Sequence, residues 1–283
     1  WRNRALTDTY EPGSTMKTVI AAAALEEKVM TPGSMIYGEN GQLSIANTVI
    51  HDHEKTGWMT FAQMIQKSSN IGAAKVGMAL GEWRVFDYLK DFGFGDKTGI
   101  DLPGEAVGLL RGPRQWGKRS LASISMGQEV GVTPLQMVTA VSAIANGGVL
   151  MKPFVVSEIR NAKGQLVAQT MPQAKRRVIS ADTARTLTTL MEGVVTNGTG
   201  GKAAIPGFRV AGKTGTAQKV DPRTGAYSST LLVGSFLGYV PAEDPRLAMI
   251  VVIDEPRGEG WGGVVAAPVF RRVGEQVLNY LGV

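Results

Sequence analysis

The sequence predicts an α+β fold: an antiparallel sheet flanked by helices on both faces, with a mostly helical lobe inserted at roughly residues 18–150. Three observations predict it. Helical patterns with recognisable caps dominate the chain up to Asn197. The period then becomes strand-like across 205–255, in segments joined by loops short enough for antiparallel hairpins. The last of these segments, Leu247–Asp254, is apolar on both faces and needs cover on each, which the closing stretch Val264–Leu281 provides on one side as a helix. At 283 residues, 43% apolar and 19% charged, the chain reads as one globular domain over 1–283. It is long enough to bury about 75% of its unfolded surface without a disulfide or metal.

The elements follow in order. Glu11-Pro12-Gly13 breaks structure, and Ser14 opens a helix to Lys28 rich in Ala, Leu, Glu and Lys. A polar, Gly-containing stretch runs from Thr31 to Gly57. Thr60-Phe61-Ala62-Gln63 is a capping box starting a helix that buries Phe61, Met64 and Ile65 and ends near Ser68-Ser69-Asn70. A second helix runs from Ile71 to Leu80, and a third from Glu82 to Phe92 with Trp83, Phe86 and Leu89 as its stripe. Gly and Pro dominate up to Pro113. Thr133-Pro134-Leu135-Gln136 caps a helix that stops at Asn146-Gly147-Gly148. Ser180 caps another, with Ala184, Leu187, Met191 and Val194 as its apolar stripe. The strands are Phe208–Val220, Leu231–Val240 and Leu247–Asp254. The Gly-rich loop Glu255–Gly263, with Trp261 as an apolar wall, and the stretch Gly127–Gly131 are expected to shape a cleft, and Trp58 and Trp116 to be packing aromatics.

Composition narrows the chemistry. With no Cys, thiol catalysis, iron–sulfur clusters and Cys-ligated zinc are excluded, and an oxidising compartment is compatible. The two His lie in His51-Asp52-His53, read as a polar loop rather than a metal site, so a His-based triad is not expected. The net charge of +6 is mild, and Lys175-Arg176-Arg177 reads as solvated surface, not a nucleic-acid patch. No apolar run reaches the roughly 18 residues that span a bilayer. The chain starts at Trp1 without a Met or signal peptide, so Trp1 is expected to mark an excision point from which an anchor or targeting segment has been removed.

Three motifs carry chemistry. Ser14-Thr15-Met16-Lys17 places a hydroxyl and an amine one turn apart at a helix start. A Ser hydroxyl needs a base, and a buried Lys with a lowered pKa is one. Ser68-Ser69-Asn70, at a break between helices, directs a hydroxyl and an amide into a cleft; Ser68 relays protons with Lys17 and Asn70 holds a substrate amide. Lys213-Thr214-Gly215-Thr216, on a strand, offers positive charge and two hydroxyls suited to a carboxylate. Gly in mid-strand marks close approach of another backbone or ligand, and the Thr216 and Ser14 N–H groups are candidates for an oxyanion hole. A second copy of the tripeptide, Lys97-Thr98-Gly99, falls in a loop and is set aside. Each motif alone is common, whereas the ordered set is not.

In that order the three motifs resemble those of the transpeptidase domain of class B penicillin-binding proteins, close to the septal, division-specific type and its sporulation relatives. The likeness extends to Gly99-Ile100-Asp101-Leu102-Pro103-Gly104-Glu105, Ala145-Asn146-Gly147-Gly148, Ala211-Gly212 before Lys213, Gly262-Gly263 and Ala266-Ala267-Pro268-Val269-Phe270, and so covers essentially the whole chain. It implies a β-lactamase/transpeptidase-like fold and a D,D-transpeptidase that needs no metal or cofactor. Ser14 is then the nucleophile towards D-Ala-D-Ala stem peptides of peptidoglycan, Lys17 its base, and Ser68 and Asn70 its proton relay and donor support. Lys213, Thr214, Gly215 and Thr216 become the carboxylate grip. β-Lactam antibiotics acylate the same Ser. The resemblance also implies work on the periplasmic side of a bacterial membrane, with a glycosyltransferase and division proteins as partners of the full-length protein. A serine β-lactamase, a D,D-carboxypeptidase and a non-catalytic sensor or division scaffold are the alternatives. Against the first, no E-x-x-L-N string lies between Asn70 and Lys213; against a degenerate scaffold, both Ser14 and Lys17 are present.

Overall fold

In the computed structural model, residues 2–283 are described; Trp1 lies outside the described residues, and with it the expected excision point. A short helix α1 (Arg4–Thr7) precedes a 3-10 turn, Gly13–Met16, that runs straight into α2 (Lys17–Glu26). The predicted helix from Ser14 is therefore a tight turn followed by an α-helix, two residues shorter than expected at its C-terminus. Every residue of α2 from Lys17 to Ala24 is buried. A helix buried all round belongs in the centre of a fold, and its run of four Ala lets neighbouring helices approach closely.

The polar, Gly-containing stretch from Thr31 to Gly57 carries β1 (Met35–Tyr37), β2 (Gln42–Ile45) and β3 (Thr48–His51), and β4 (Trp58–Thr60) follows it, with β1 pairing β4 and β2 pairing β3. Both capping boxes form as predicted, with Thr60 and Thr133 accepting from the backbone of Gln63 and Gln136 while those side chains reach back. They start α3 (Phe61–Lys67) and, later, α7 (Pro134–Ala145). Between them lie α4 (Asn70–Leu80), α5 (Glu82–Asp91) and α6 (Ser120–Met126). The buried stripe of α5 runs through Val85 and Leu89 to Phe92, not through Trp83, which is 56% exposed. Trp58, expected to pack, is 67% exposed; its strand belongs to a two-stranded ribbon, where its ring meets that of Tyr37 across the pair at 5.2 Å. Trp116 does pack, edge-on against Phe86.

Four short strands not anticipated follow: β5 (Val149–Lys152), β6 (Glu158–Arg160), β7 (Leu166–Gln169) and β8 (Gln173–Arg177), paired β5 with β8 and β6 with β7. Lys175-Arg176-Arg177 is exposed surface, as expected. Helix α8 (Ala181–Asn197) buries the predicted stripe of Ala184, Leu187, Met191 and Val194.

The main sheet has three antiparallel strands in the order β11-β10-β9: β9 (Ala211–Val220), β10 (Tyr227–Val240) and β11 (Leu247–Asp254). The closing helix breaks at Ala266, ahead of Pro268, into α9 (Gly262–Val265) and α10 (Ala267–Leu281). Side chains alternate along β10. Leu237 and Tyr239 join the core with α2, α7 and α8, while Phe236 and Val240 join that with α10, where Phe236 meets Phe270 edge-on at 4.8 Å. Both faces of the sheet are thus covered by helices, as its apolar third strand requires. Among the described residues no helix is long and apolar enough to cross a membrane.

Candidate active site

The site forms where the inner end of α2, the break between α3 and α4, and the free edge of β9 meet. Two glycines allow this. Gly13 has φ +54°, and a Cβ on it would meet the carbonyl oxygen of Thr216 at 2.8 Å; on Gly215 a Cβ would meet Thr15 Cγ2 at 2.9 Å and the Pro12 carbonyl at 3.1 Å. The turn carrying Ser14 therefore lies directly on β9 because both contact points lack a side chain. Thr216 stands opposite Gly234 in the β9–β10 ladder, while its carbonyl faces Gly13 on the free edge. In an antiparallel ladder one residue's N–H and C=O share a direction, so the Thr216 N–H faces the Ser14 turn as well.

The break between α3 and α4 is strained. Ser68 caps α3 in the left-handed region, φ 61° and ψ 37°, where a residue with a Cβ is uncommon. This turns both its carbonyl and its hydroxyl towards Lys17. Lys17 Nζ donates to Ser68 O at 2.6 Å and to Asn70 Oδ1 at 2.8 Å, and lies 3.4 Å from Ser68 Oγ. From β9, Lys213 Nζ donates to Ser68 Oγ at 2.7 Å and to the Thr214 carbonyl at 3.1 Å. Lys17 is 1% exposed and Lys213 fully buried. Burial, opposed by the charge of Asp52, brings the Lys17 ammonium down to about 7. Burial, and then the charge of Lys17, pushes Lys213 well below the usual lysine range.

The structure thus brings Lys17, Ser68, Asn70 and Lys213 into one hydrogen-bonded cluster. Ser14 opens on its outer side, lining a cavity of about 500 Å³ together with Asn70, Thr216, His53, Glu129 and Trp261. The Ser14 hydroxyl makes no hydrogen bond to Lys17, whose short bonds go to Ser68 and Asn70. Thr214 is set behind the cavity, its hydroxyl paired with that of Thr199 at 2.6 Å, while Thr216 Oγ1 accepts from the Gly262 N–H at 3.1 Å. A larger groove of about 950 Å³, between residues 2–11 and the strands, contains none of Ser14, Lys17, Ser68 or Lys213. The second K-T-G copy is structural, as expected for a loop: Glu105 accepts from the Thr98 hydroxyl and backbone and from the Gly99 N–H.

Trp261 and the Gly127–Gly131 stretch, through Glu129, line the cavity as expected, whereas the parts of Asp52 and His53 carried no signal in the sequence. The His51-Asp52-His53 stretch is not free loop. Asp52 Oδ1 accepts from the N–H groups of Asn70 (2.5 Å) and Ile71 (3.1 Å), Asp52 Oδ2 from the Ser69 hydroxyl (2.5 Å), and the His51 carbonyl from Asn70 Nδ2 (2.9 Å). His53 meets Trp261 edge-on at 4.5 Å, and burial and the charge of Lys17 lower its pKa. Glu129 lines the cavity with its carboxylate engaged by Arg111, Arg119 and Ser120. Glu11, two residues before Gly13, ties the Ser14 turn to this wall by accepting from the Glu129 N–H.

The chain is similar in sequence and fold to known proteins. The family described as "Penicillin binding protein transpeptidase domain" matches residues 1–275. Stage V sporulation protein D of Bacillus subtilis is 41% identical over all of this chain and 44% of its own length; peptidoglycan D,D-transpeptidase FtsI of Escherichia coli is 34% identical over all of this chain and 46% of its own. The chain therefore spans less than half the length of these two curated relatives. The structure of penicillin-binding protein 3 from Mycobacterium tuberculosis, complexed with aztreonam, superposes with a TM-score of 0.92 at 33% identity, covering 99% of this chain and 65% of that one. The transpeptidase domain of Burkholderia pseudomallei penicillin-binding protein 3 gives 0.89 at 36% identity, covering 100% and 82%. With the motifs clustered in space and the likeness running the length of the chain, the protein belongs to the class B penicillin-binding proteins, as a transpeptidase domain.

Proposed function

We propose that this domain is a peptidoglycan D,D-transpeptidase working through an acyl-enzyme on Ser14, and that β-lactams acylate the same residue. The observation that carries this reading is the pair of buried lysines converging on Ser68 beside the Ser14 cavity. A dry amine titrating near 7 is a competent base at neutral pH. Lys17 takes the Ser14 proton as Oγ attacks the penultimate D-Ala carbonyl of a stem peptide. The oxyanion that forms meets the N–H groups of Ser14 and Thr216. Collapse breaks the amide, and the departing D-Ala nitrogen receives a proton by way of Ser68. An amine from a second stem peptide then attacks the ester, giving up a proton through the same relay, and Ser14 is regenerated. Asn70, which lines the cavity, orients the donor peptide. Thr216 presents the strand edge to the terminal carboxylate, with Lys213, Thr214 and Gly215 behind it supplying charge, support and close backbone approach.

By the same reading the reaction takes place on the periplasmic side of the bacterial membrane, and the whole protein works with a glycosyltransferase and division proteins. Incubation with a penicillin followed by intact mass measurement tests the core of it. One stable adduct is expected, on the peptide containing Ser14 and absent in Ser14→Ala. Rapid loss of the adduct with hydrolysed penicillin accumulating would instead indicate a β-lactamase. Glu129, the carboxylate on the cavity wall, is committed to two arginines and a serine, which does not suit it to activating a hydrolytic water.

A further inference from the structure

We infer that Asp52 is a positioning residue of the acyl-serine site, its carboxylate fixing the Ser68–Asn70 break while its charge faces the Lys17 amine. The inference rests on the acyl-enzyme reading above and adds to it a residue outside the three motifs.

Three donors converge on this one carboxylate: the Ser69 hydroxyl and the N–H groups of Asn70 and Ile71. Helix α4 already has an N-cap, since Ser69 Oγ accepts from the Gly72 N–H at 2.9 Å. Asp52 adds a second cap from outside the helix, satisfying two more of the N–H groups that a helix start leaves open. The neighbouring His51 carbonyl completes the grip. It can only accept, so it selects the NH2 group of Asn70 and leaves Asn70 Oδ1 facing Lys17. The end of β3 thereby decides which way the Asn70 amide points.

Charge is the second half of the case. The groups facing Lys17 are Ser68 and Asn70 from the α3–α4 break, Lys213 from β9, and Asp52 and His53 beyond β3. Asp52 is the carboxylate among them, and its charge opposes the effect of burial on Lys17. Without it, Lys17 would give up its proton at lower pH, and an Asn would present an NH2 group to donors that need an acceptor.

The test measures acylation by a fluorescent penicillin across about pH 5 to 9, for the whole chain and for Asp52→Asn. The acid limb of the variant is expected to move down by about half a unit or more, with the plateau lowered about tenfold or more. A purely structural defect lowers the rate alike at every pH and leaves the limb in place, so coincident limbs overturn the proposal. If Asp52→Asn loses its melting transition, Asp52→Glu is read instead. It keeps the charge and displaces the carboxylate, so the limb should stay and the plateau should fall; an undiminished plateau overturns the proposal. A wild-type chain that forms no adduct on Ser14 fails the underlying reading first and the inference with it, a result distinct from either variant's.

Discussion

Lys17 and Lys213 reach the same oxygen: their Nζ atoms lie 3.4 and 2.7 Å from Ser68 Oγ, although the two residues are far apart in the sequence. Burial disfavours both ammonium groups, and the charge of Lys17 further disfavours that of Lys213. Giving up one proton relieves the pair. Burial holds Lys17 near 7 and, with the charge of Lys17, pushes Lys213 well below the usual lysine range, so the cluster readily yields the free amine that an acylation needs as its base.

Lys17→Met fills nearly the same space and cannot take a proton. Acylation by a fluorescent penicillin should fall by about a hundredfold or more, while circular dichroism shows a folded chain. A variant that still reacts at the wild-type rate would remove Lys17 from the mechanism.

Because the neutral form of Lys17 is the base, acylation should rise with pH and reach half its plateau near 7. Stability should move in the same direction. Lys17 titrates at about 7 when folded and near 10.5 when unfolded, so between those values the unfolded chain binds the extra proton. Stability is then greatest above about 10.5, declines as pH falls, and levels off below about 7, with a slope of at most about 1.4 kcal/mol per pH unit for one group. Urea denaturation of the wild type should show this climb from neutral to alkaline pH, and Lys17→Met should make it shallower, leaving the share that belongs to buried Lys213. Parallel curves would mean that Lys17 is not held neutral.

What the sequence made legible was local chemistry. Thr60 and Thr133 announce helix starts because their hydroxyls bond backbone three residues on, within the same turn. Ser14 and Lys17 are legible as a pair for the same reason. Lys213 near Ser68 is different: nothing within either segment signals the meeting, and only the family likeness linked them. Asp52 was passed over because its partners are Ser69, Asn70 and Ile71, reached by a hairpin of two four-residue strands with little alternation to read. Strands β6 and β7 are exposed throughout, so no burial pattern marks them. Spacing puts Trp83 on the helix stripe and residue type makes Trp58 a packing aromatic, whereas the neighbouring fold leaves each facing solvent.

Gly13→Ala tests the contact that brings the nucleophile's turn onto β9. The substitution forces a Cβ to within 2.8 Å of the Thr216 carbonyl at a φ of +54°. It should cost about 1–3 kcal/mol in urea-measured stability and slow acylation by moving Ser14 away from the strand edge. Gly225→Ala, at a β9–β10 turn where a Cβ meets nothing within 4 Å, has φ +68° and so carries the backbone strain without the clash. Equal loss of acylation in both variants would show that the Gly13 contact has no special part in placing Ser14.

Trp261 stands at 45% exposure on the cavity wall, supported edge-on by His53 and carried by a loop containing Gly258 and Gly260. An aromatic face left partly open beside the nucleophile has apolar area to cover, and the side chain of an incoming β-lactam or peptide is what the cavity admits. Aromatic contacts of this kind contribute about 1 kcal/mol beyond simple burial. Trp261→Ala should therefore lower the second-order acylation rate about fivefold for a penicillin with an aromatic side chain, and less for one with a small aliphatic side chain. The wild-type chain should also show a change in tryptophan fluorescence on acylation that the variant lacks. Equal loss for both penicillins would place Trp261 in loop support rather than ligand contact, since a loop defect does not discriminate between their side chains.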